Sequence, residues 1–528
     1  MARADVFGPW LSVLVVLAKE FFVSDAYEAT AASHGGSMGK IVFCVAAAAL
    51  AGLLFGYDTG VAAGIQGYLQ QYFHLSNKEL GFAIASLELG CVPGAMFAGS
   101  LADRFGRKHL LIVCAVLFAI SGVLSAIPQT LLELVLARVI GGLAIGASSM
   151  IAPVYIAEIS PERHRGRLGS LFQLGIVVGI ALVYWVNYFI LNAGNHINAS
   201  APIAHGANWN ATMGWRWMLG SETLPAIIFL LMVIFVPESP RWLVINNQEQ
   251  KGRDILTRFV GSSGADREIA AVKEVAAQEE GRFSELFLPR YRLPLIIALF
   301  LAIFSQFSGI NSIIYYAPRV FEAAGMKTTN AFGSTALVGM VNLLFTFIAV
   351  GFVDRAGRKL LLAIGTAIQV VSLFAVGLVF ALANRITVTA VVQGHSISHT
   401  VIHFSPDQVH ILIASVLTFI AAFAMAMGPM PWIIISEIFP ARIRGRAASV
   451  GVLTLWIAIF VVAQTFPWLK AHAGLTITYF IYSACSLISF LFVVLVLPET
   501  KGKTLEQIEA YWHHRHHGTL PADLPTNT

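Results

Sequence analysis

The chain has 528 residues, of which 57% are hydrophobic and only 12% charged, with a formal net charge of +5. Soluble domains carry about 25% charged residues, so this composition excludes a soluble globular protein and points to an integral membrane protein. The small basic excess sits in alternate loops, which makes it a topology signal and not a nucleic-acid-binding surface.

A bilayer core about 30 Å thick needs about 20 apolar residues per spanning helix. Twelve such segments are predicted, at about 41–61, 80–101, 109–127, 131–156, 169–191, 217–236, 293–318, 333–353, 360–382, 408–435, 447–468 and 475–497. Ahead of them, Pro9 to Leu17 is apolar but too short to span, and reads as signal-like or interfacial. Met38-Gly39-Lys40 opens the first span with a short basic lead, so either Met38 is the true start or residues 1–37 form a disordered tail.

Asp58 lies inside the first span and Arg138 inside the fourth. Placing such a charge at the bilayer centre costs about 2.5–3.5 kcal/mol on the mildest scale. The pair is therefore read either as part of a proton or substrate path or as a structural ion pair that fixes helix register. Glu88 in the second span is expected to snorkel outward, the alternative being a second protonatable group. Cys44, Cys91, Cys114 and Cys485 fall in apolar segments and read as small packing residues, not a disulfide framework. Asn198-Ala-Ser200 and Asn210-Ala-Thr212 fit the glycosylation pattern, with chance occurrence the expected explanation.

Basic residues cluster after every second span: Arg104, Arg107 and Lys108; Arg163, Arg165 and Arg167; several between the sixth and seventh spans; Arg355, Arg358 and Lys359; Arg442, Arg444 and Arg446. The 192–214 loop has none. The positive-inside rule then places these loops and both termini in the cytoplasm. The chain also repeats itself. Gly99-Ser-Leu-Ala-Asp103-Arg-Phe-Gly106-Arg107-Lys108 returns as Gly351-Phe-Val-Asp354-Arg-Ala-Gly357-Arg358-Lys359, and Glu158-Ile-Ser-Pro161 with Arg165-Gly166-Arg167 returns as Glu437-Ile-Phe-Pro440 with Arg444-Gly445-Arg446. Pro237-Glu238-Ser-Pro-Arg241 has a weaker echo in Pro498-Glu499-Thr-Lys-Gly. The expected organisation is an N-terminal extension over 1–38, a six-helix bundle over 39–238, a helical cytoplasmic linker over 239–290, a second bundle over 291–500 and a tail over 501–528. Duplicated six-span halves suit a rocking transporter with its site at the midplane. Asp103, Arg107, Glu158 and Arg165, with their copies Asp354, Arg358, Glu437 and Arg444, are expected to form a cytoplasmic gate that pairs when the inside is closed.

The Gly-Arg-Lys loops in both halves, Pro237-Glu-Ser-Pro-Arg241, Gln306-Phe-Ser-Gly-Ile-Asn311 and Pro498-Glu-Thr-Lys-Gly resemble the sugar porter family of the major facilitator superfamily. The resemblance runs from about residue 41 to 512 and is greatest for the bacterial D-xylose–proton symporters, less for the animal glucose facilitators. It implies an all-α membrane protein of twelve transmembrane helices in two pseudo-symmetric six-helix bundles with alternating access. It also implies sugar contacts from Gln173, Gln306, Asn311, Asn342 and Trp432, with Tyr315 and Gly428 at the pocket. Amides suit this task because sugar hydroxyls both donate and accept, and each is expensive in an apolar span unless partnered.

Two positions depart from the family pattern: Ser305 replaces the first of two consecutive glutamines, and Leu455, beside the aromatic Trp456, replaces a glutamine of the xylose symporters. These three residues are expected to tune selectivity, favouring a hexose at least as much as xylose. Asp58 and Arg138 correspond to the acid–base pair of the proton symporters, and Glu222 to a further membrane acid, so proton-coupled monosaccharide uptake across the cytoplasmic membrane is expected. A facilitative uniporter with a structural Asp58 is the first alternative, and a transporter-like sugar sensor the second. An enzyme is not expected, since there is no nucleotide-binding loop and no metal-ligand set in the spans; protons are the coupling ion, no cofactor is implied, and one chain is expected to suffice. His513-His514-Arg515-His516-His517 reads as a solvated tail.

Overall fold

The computed structural model describes residues 38–161, 164–200, 208–277, 283–392, 395–499 and 501. The segments Pro9–Leu17 and His513–His517 lie outside them. Among the described residues, twelve helices are long and apolar enough to cross a membrane. They are α1 (Gly39–Tyr72), α2 (Asn77–Phe105), α3 (Arg107–Ala126), α4 (Leu131–Ile159), α5 (Arg165–Ala199), α6 (Asn210–Phe235), α7 (Pro289–Ile314), α8 (Thr328–Phe352), α9 (Arg358–Ala381), α10 (Pro406–Ile435), α11 (Gly445–His472) and α12 (Gly474–Leu495). They form two six-helix halves.

The helix starts follow local chemistry. Ser76 and Glu79 form a capping box ahead of α2, and Ser405 and Gln408 form another ahead of α10, where Pro406 takes the first turn. Within each half, small residues let backbones meet, as membrane helix packing requires. A Cβ at Gly142 of α4 would stand 1.9 Å from the Leu87 carbonyl oxygen of α2, and one at Gly56 of α1 would stand 1.8 Å from the Ile176 carbonyl oxygen of α5. The opposite faces carry exposed apolar side chains such as Phe97, Leu132, Phe235 and Leu495, as hydrocarbon contact demands.

Several elements differ from the sequence expectation. Helix α1 continues about three turns past the expected end near 61, because Gln66 and Gln70, which look like loop residues, find partners in the second half. Helix α6 is interrupted: Asn210–Gly214 is a π turn, followed by Trp215–Gly220 and Thr223–Phe235. Between α9 and α10 stands an antiparallel hairpin, β1 (Asn384–Val392) and β2 (His395–His403), with Asn384 opposite His403 and Val392 opposite His395. Its β-branched composition is a strand signal in a chain otherwise read as helical. Among the described residues Cys44, Cys91, Cys114 and Cys485 are free thiols. Asn210 is buried and donates to the Leu191 carbonyl and the Asn195 side chain, so the second glycosylation pattern is a packing asparagine.

The linker holds helices Pro240–Ile245, Glu249–Val260 and Ser262–Ala277, which bury Val244, Leu256, Ala265 and Ile269 against one another. Ion pairs Arg253–Asp266 (2.6 Å) and Lys273–Glu249 (2.7 Å) lie on their solvated side. The end of the molecule bearing this linker is called the linker end, and the opposite one the hairpin end.

The echoed Pro-Glu motifs have a structural purpose. At the linker end, Gly106 turns the chain at φ +95°, and the backbone amides of Arg107 and Lys108 donate to Glu238 at 2.9 and 3.0 Å. In the second half Gly357 turns at φ +91°, and the amides of Arg358 and Lys359 donate to Glu499 at 3.1 Å each. A carboxylate is favoured at a helix N-terminus, where free N–H groups and the helix dipole converge. The residue after each half's sixth span thus caps its third span. Gly is required at each turn because φ is positive and because a Cβ would press on the capping carboxylate.

Candidate functional site

The buried charge cluster sits in the first half. Asp58 on α1, Arg138 on α4 and Glu222 on α6 have relative exposures of 0%, 2% and 1%. Arg138 Nη1 donates to Asp58 Oδ1, and its Nη2 reaches the Asp58 carbonyl at 3.4 Å. Among the described residues, the second Asp58 oxygen and Glu222 Oε1 have no hydrogen-bond partner. Gly141, on the same helix as Arg138, leaves the room: a Cβ there would lie 3.0 Å from Asp58 Oδ2 and 2.5 Å from Ser121 Oγ. Tyr57 and Ser221 share a hydrogen bond of 2.8 Å that holds α1 against α6 beside the acids. Arg138 is within electrostatic reach of Glu222 and Glu88 as well as Asp58, so one guanidinium serves three carboxyl groups.

Glu88 is a correction to the sequence reading. It does not snorkel: its relative exposure is 1%, and its Oε1 accepts from the Tyr315 hydroxyl at 2.6 Å. A partner on the other half, too far away in sequence to be read from periodicity, supplies the bond that an isolated helix would seek at the interface.

The polar set of the second half centres on a break in α7. Gly309 takes φ +81° and packs so closely on Tyr482 that a Cβ would stand 2.4 Å from its ring. Ile310–Ile314 and then Ala317–Ala323 continue beyond the break. Around it runs a hydrogen-bonded chain: Asn311 Nδ2 to Gln306 Oε1 (2.9 Å), Gln306 Nε2 to Ser305 Oγ (3.0 Å), and Ser305 Oγ to the Ala302 carbonyl (2.9 Å). The buried amides thus satisfy one another, as their cost in an apolar setting requires. Tyr315 does not join this chain through its side chain; its hydroxyl goes to Glu88, while its backbone N–H donates to the Asn311 carbonyl at 3.0 Å.

The remaining expected positions come from other helices. Gln173 on α5 is half-buried and Asn342 on α8 is buried, and neither amide makes a hydrogen bond among the described residues. Their helices meet through Val177, Ala181 and Leu343. Helix α10 breaks between Met425 and Met430, with the Gly428 amide bonded to the Phe423 carbonyl at 2.9 Å, and Trp432 follows half-buried. On α11 Leu455 and Trp456 are both buried; the Trp456 ring stands 5.2 Å from that of Phe55, three residues before Asp58, and its indole nitrogen has no hydrogen-bond partner among the described residues.

At the hairpin end, bonds join the halves. Gln66 Nε2 donates to the Tyr315 carbonyl, Tyr184 to the Ile314 carbonyl at 2.6 Å, Arg319 to Gln70 at 2.8 Å and Gln464 to the Lys78 carbonyl at 3.2 Å. Of the residues expected at a cytoplasmic gate, Arg107 and Arg358 form ion pairs at the linker end, each inside one half. Arg107 is bidentate to Glu158 (3.1 and 3.2 Å) and reaches Asp103 at 3.1 Å; Arg358 reaches Glu437 at 3.0 Å. Arg165 donates instead to the Ala157 carbonyl at 3.0 Å. The side chains of Asp354 and Arg444 lie outside the described residues. These pairs brace a half and coexist with a hairpin end that is bonded shut.

Comparison with known proteins agrees with this architecture. The Sugar (and other) transporter family matches residues 44–512. The arabinose-proton symporter of Bacillus subtilis (strain 168) is 38% identical over 477 residues, covering 90% of this chain and 96% of that protein. The D-xylose-proton symporter of Escherichia coli (strain K12) is 38% identical over 498 residues, covering 88% and 94%. The solved structure of the E. coli xylose transporter in a partially occluded inward-open conformation superposes with a TM-score of 0.73 at 35% identity, covering 88% of this chain and 100% of that one. Its complex with 6-bromo-6-deoxy-D-glucose gives 0.72 at 37% identity, covering 90% and 99%. The chain is a multi-pass membrane protein that belongs to the sugar (and other) transporter family.

Proposed function

We propose that this protein is a proton-coupled monosaccharide importer that works by alternating access. The observation that carries the reading is the buried Asp58–Arg138 pair, in which one carboxyl oxygen has no hydrogen-bond partner among the described residues and Glu222 lies within electrostatic reach. A site that only fixed register would satisfy both oxygens, whereas a proton carrier needs one that can take a proton. Relatives named as symporters of arabinose, xylose and galactose with protons support the same conclusion.

In this reading Gln173, Gln306, Asn311, Asn342 and Trp432 bind the sugar, Tyr315 and Gly428 border it, and Ser305, Leu455 and Trp456 set which sugar fits. A bound sugar takes over hydrogen bonds that Gln306 and Asn311 now make to each other. Asp58, Arg138 and Glu222 carry the coupling. The bundles 39–238 and 291–500 rock about the site, joined by the 239–290 linker, with 1–38 and 501–528 as tails. Arg107–Glu158 and Arg358–Glu437 keep each bundle rigid at the linker end, which faces the cytoplasm together with both termini, in the inner membrane. A single chain suffices.

The test is uptake by purified protein in proteoliposomes. Counterflow screened over pentoses and hexoses identifies the sugar, and an inward proton gradient drives its accumulation. Counterflow without gradient-driven accumulation refutes the symport reading in favour of facilitation.

A further inference from the structure

Glu88 is used by nothing in the function described so far. It sits on α2 of the first half, is buried to 1% exposure, and is bonded to Tyr315 of the second half at 2.6 Å. Its other oxygen has no hydrogen-bond partner among the described residues. A bond from a phenol needs no acid; a glutamine accepts it equally well, without the cost of a titratable group within the span. The ionisable groups around it are Tyr315 and Tyr316 beyond the α7 break, Arg138 on α4, Asp58 on α1 and Cys91 on its own helix. Helix α11, packed along α2, carries its ionisable residues Arg446, Lys470 and His472 near its ends.

The partner of Glu88 belongs to a segment that is tied to three helices of the first half. The Tyr315 carbonyl accepts from Gln66 on α1, the Ile314 carbonyl from Tyr184 on α5, and the Tyr315 hydroxyl donates to Glu88 on α2. Opening the hairpin end moves this segment away and breaks the Glu88 bond with the others. One helical turn earlier, the Asn311 carbonyl accepts from the Tyr315 amide, so the segment is continuous with the amides around the α7 break. A physical chain of contacts therefore runs from Asn311 through Tyr315 to Glu88, and by electrostatic reach to Arg138 and Asp58.

We propose that Glu88 is a second proton-linked group, which senses closure of the hairpin end through its bond to Tyr315. With the end closed, the phenol donates to the carboxyl group and the site is dry. With it open, the phenol leaves and the carboxyl group exchanges its proton with water, one O–H bond broken as another forms on water. The proton content of Glu88 then changes with conformation, and proton concentration biases the conformational equilibrium in return. This inference rests on the transport reading above.

The test is sugar counterflow in proteoliposomes at equal pH on both sides, between about pH 5 and 9, where carboxyl groups of active sites titrate. Counterflow requires no net proton movement. The expected result is that Glu88→Gln flattens one pH-dependent limb of the wild-type profile, and that Glu88→Asp restores the limb with its midpoint moved by about 0.4 pH unit or more, the difference between the ordinary values of the two carboxyl groups. A Glu88→Gln profile that superposes on wild type after scaling overturns the proposal. If Glu88→Gln does not fold, an unmoved midpoint in Glu88→Asp overturns it as well. Either failure leaves gradient-driven accumulation by the wild type intact, and so is distinct from failure of the symport reading.

Discussion

Removal of the Asp58 charge should separate coupling from transport. Asp58→Asn keeps the shape of the side chain and an oxygen for Arg138, but cannot carry a proton. Breaking a buried ion pair by deleting one partner costs about 3–5 kcal/mol, because the other charge is left uncompensated. Here Arg138 retains Glu222 and Glu88 within electrostatic reach, so Asp58→Asn should cost well under that amount. Arg138→Met is the opposite case: three buried carboxyl groups lose their one shared base, and the full ~3–5 kcal/mol is expected. Two measurements follow on the same preparations. Denaturation in detergent should place Arg138→Met below Asp58→Asn in stability, and proteoliposome assays should show Asp58→Asn retaining counterflow while failing to accumulate sugar under an imposed proton gradient. Accumulation by Asp58→Asn would refute the coupling argument. Equal destabilisation by the two variants would refute the account of one base shared among three acids.

Three further outcomes are expected. Asn311→Ala should weaken sugar binding five- to about a hundredfold, since losing a buried hydrogen bond costs about 1–3 kcal/mol, and equilibrium binding to purified protein measures it. The unmodified protein should accept a hexose such as glucose or galactose at least as well as xylose, and Ser305→Gln with Leu455→Gln should shift preference toward xylose in competition assays; unchanged preference in the double variant removes these positions from selectivity. Glu158→Ala and Glu437→Ala remove a part-buried partner of Arg107 and of Arg358 within their own halves, so they should lower stability in detergent while cysteine labelling from each side stays close to wild type; labelling shifted toward one side would show that these pairs gate the cavity and do not merely brace a half.

The spans and their duplication were legible because hydropathy and loop charge are local properties of the chain. The repeats also marked acids and arginines at matched positions of the linker end, but not which arginine meets which acid: Arg107 and Arg358 reach Glu158 and Glu437, while Arg165 donates to a backbone carbonyl. What escaped was set by contacts between distant segments. Helix α1 runs on to Tyr72 because Gln66 and Gln70 meet the second half, and Glu88 turns inward because Tyr315 waits there. The signal for Glu88 was the residue itself, an acid in a long apolar run, but its direction depended on a partner 227 positions away. The hairpin at 384–403 was hidden differently: it lies between spans, where hydropathy and loop charge say nothing of strands, and its β-branched run was the one local sign. The weak Pro-Glu echo marks two capping carboxylates whose partners are backbone amides, and these carry no sequence signature.

Those two glutamates, Glu238 and Glu499, change how the duplication is best understood. Each ties the exit of its half's last span to the entrance of the third, so each six-helix unit carries a seam made of its own residues. The chain between the halves then supplies tethering and stoichiometry more than shape. Two fragments parted within the linker would each still hold the seam that closes its own bundle, and would depend on each other for transport but not for that closure.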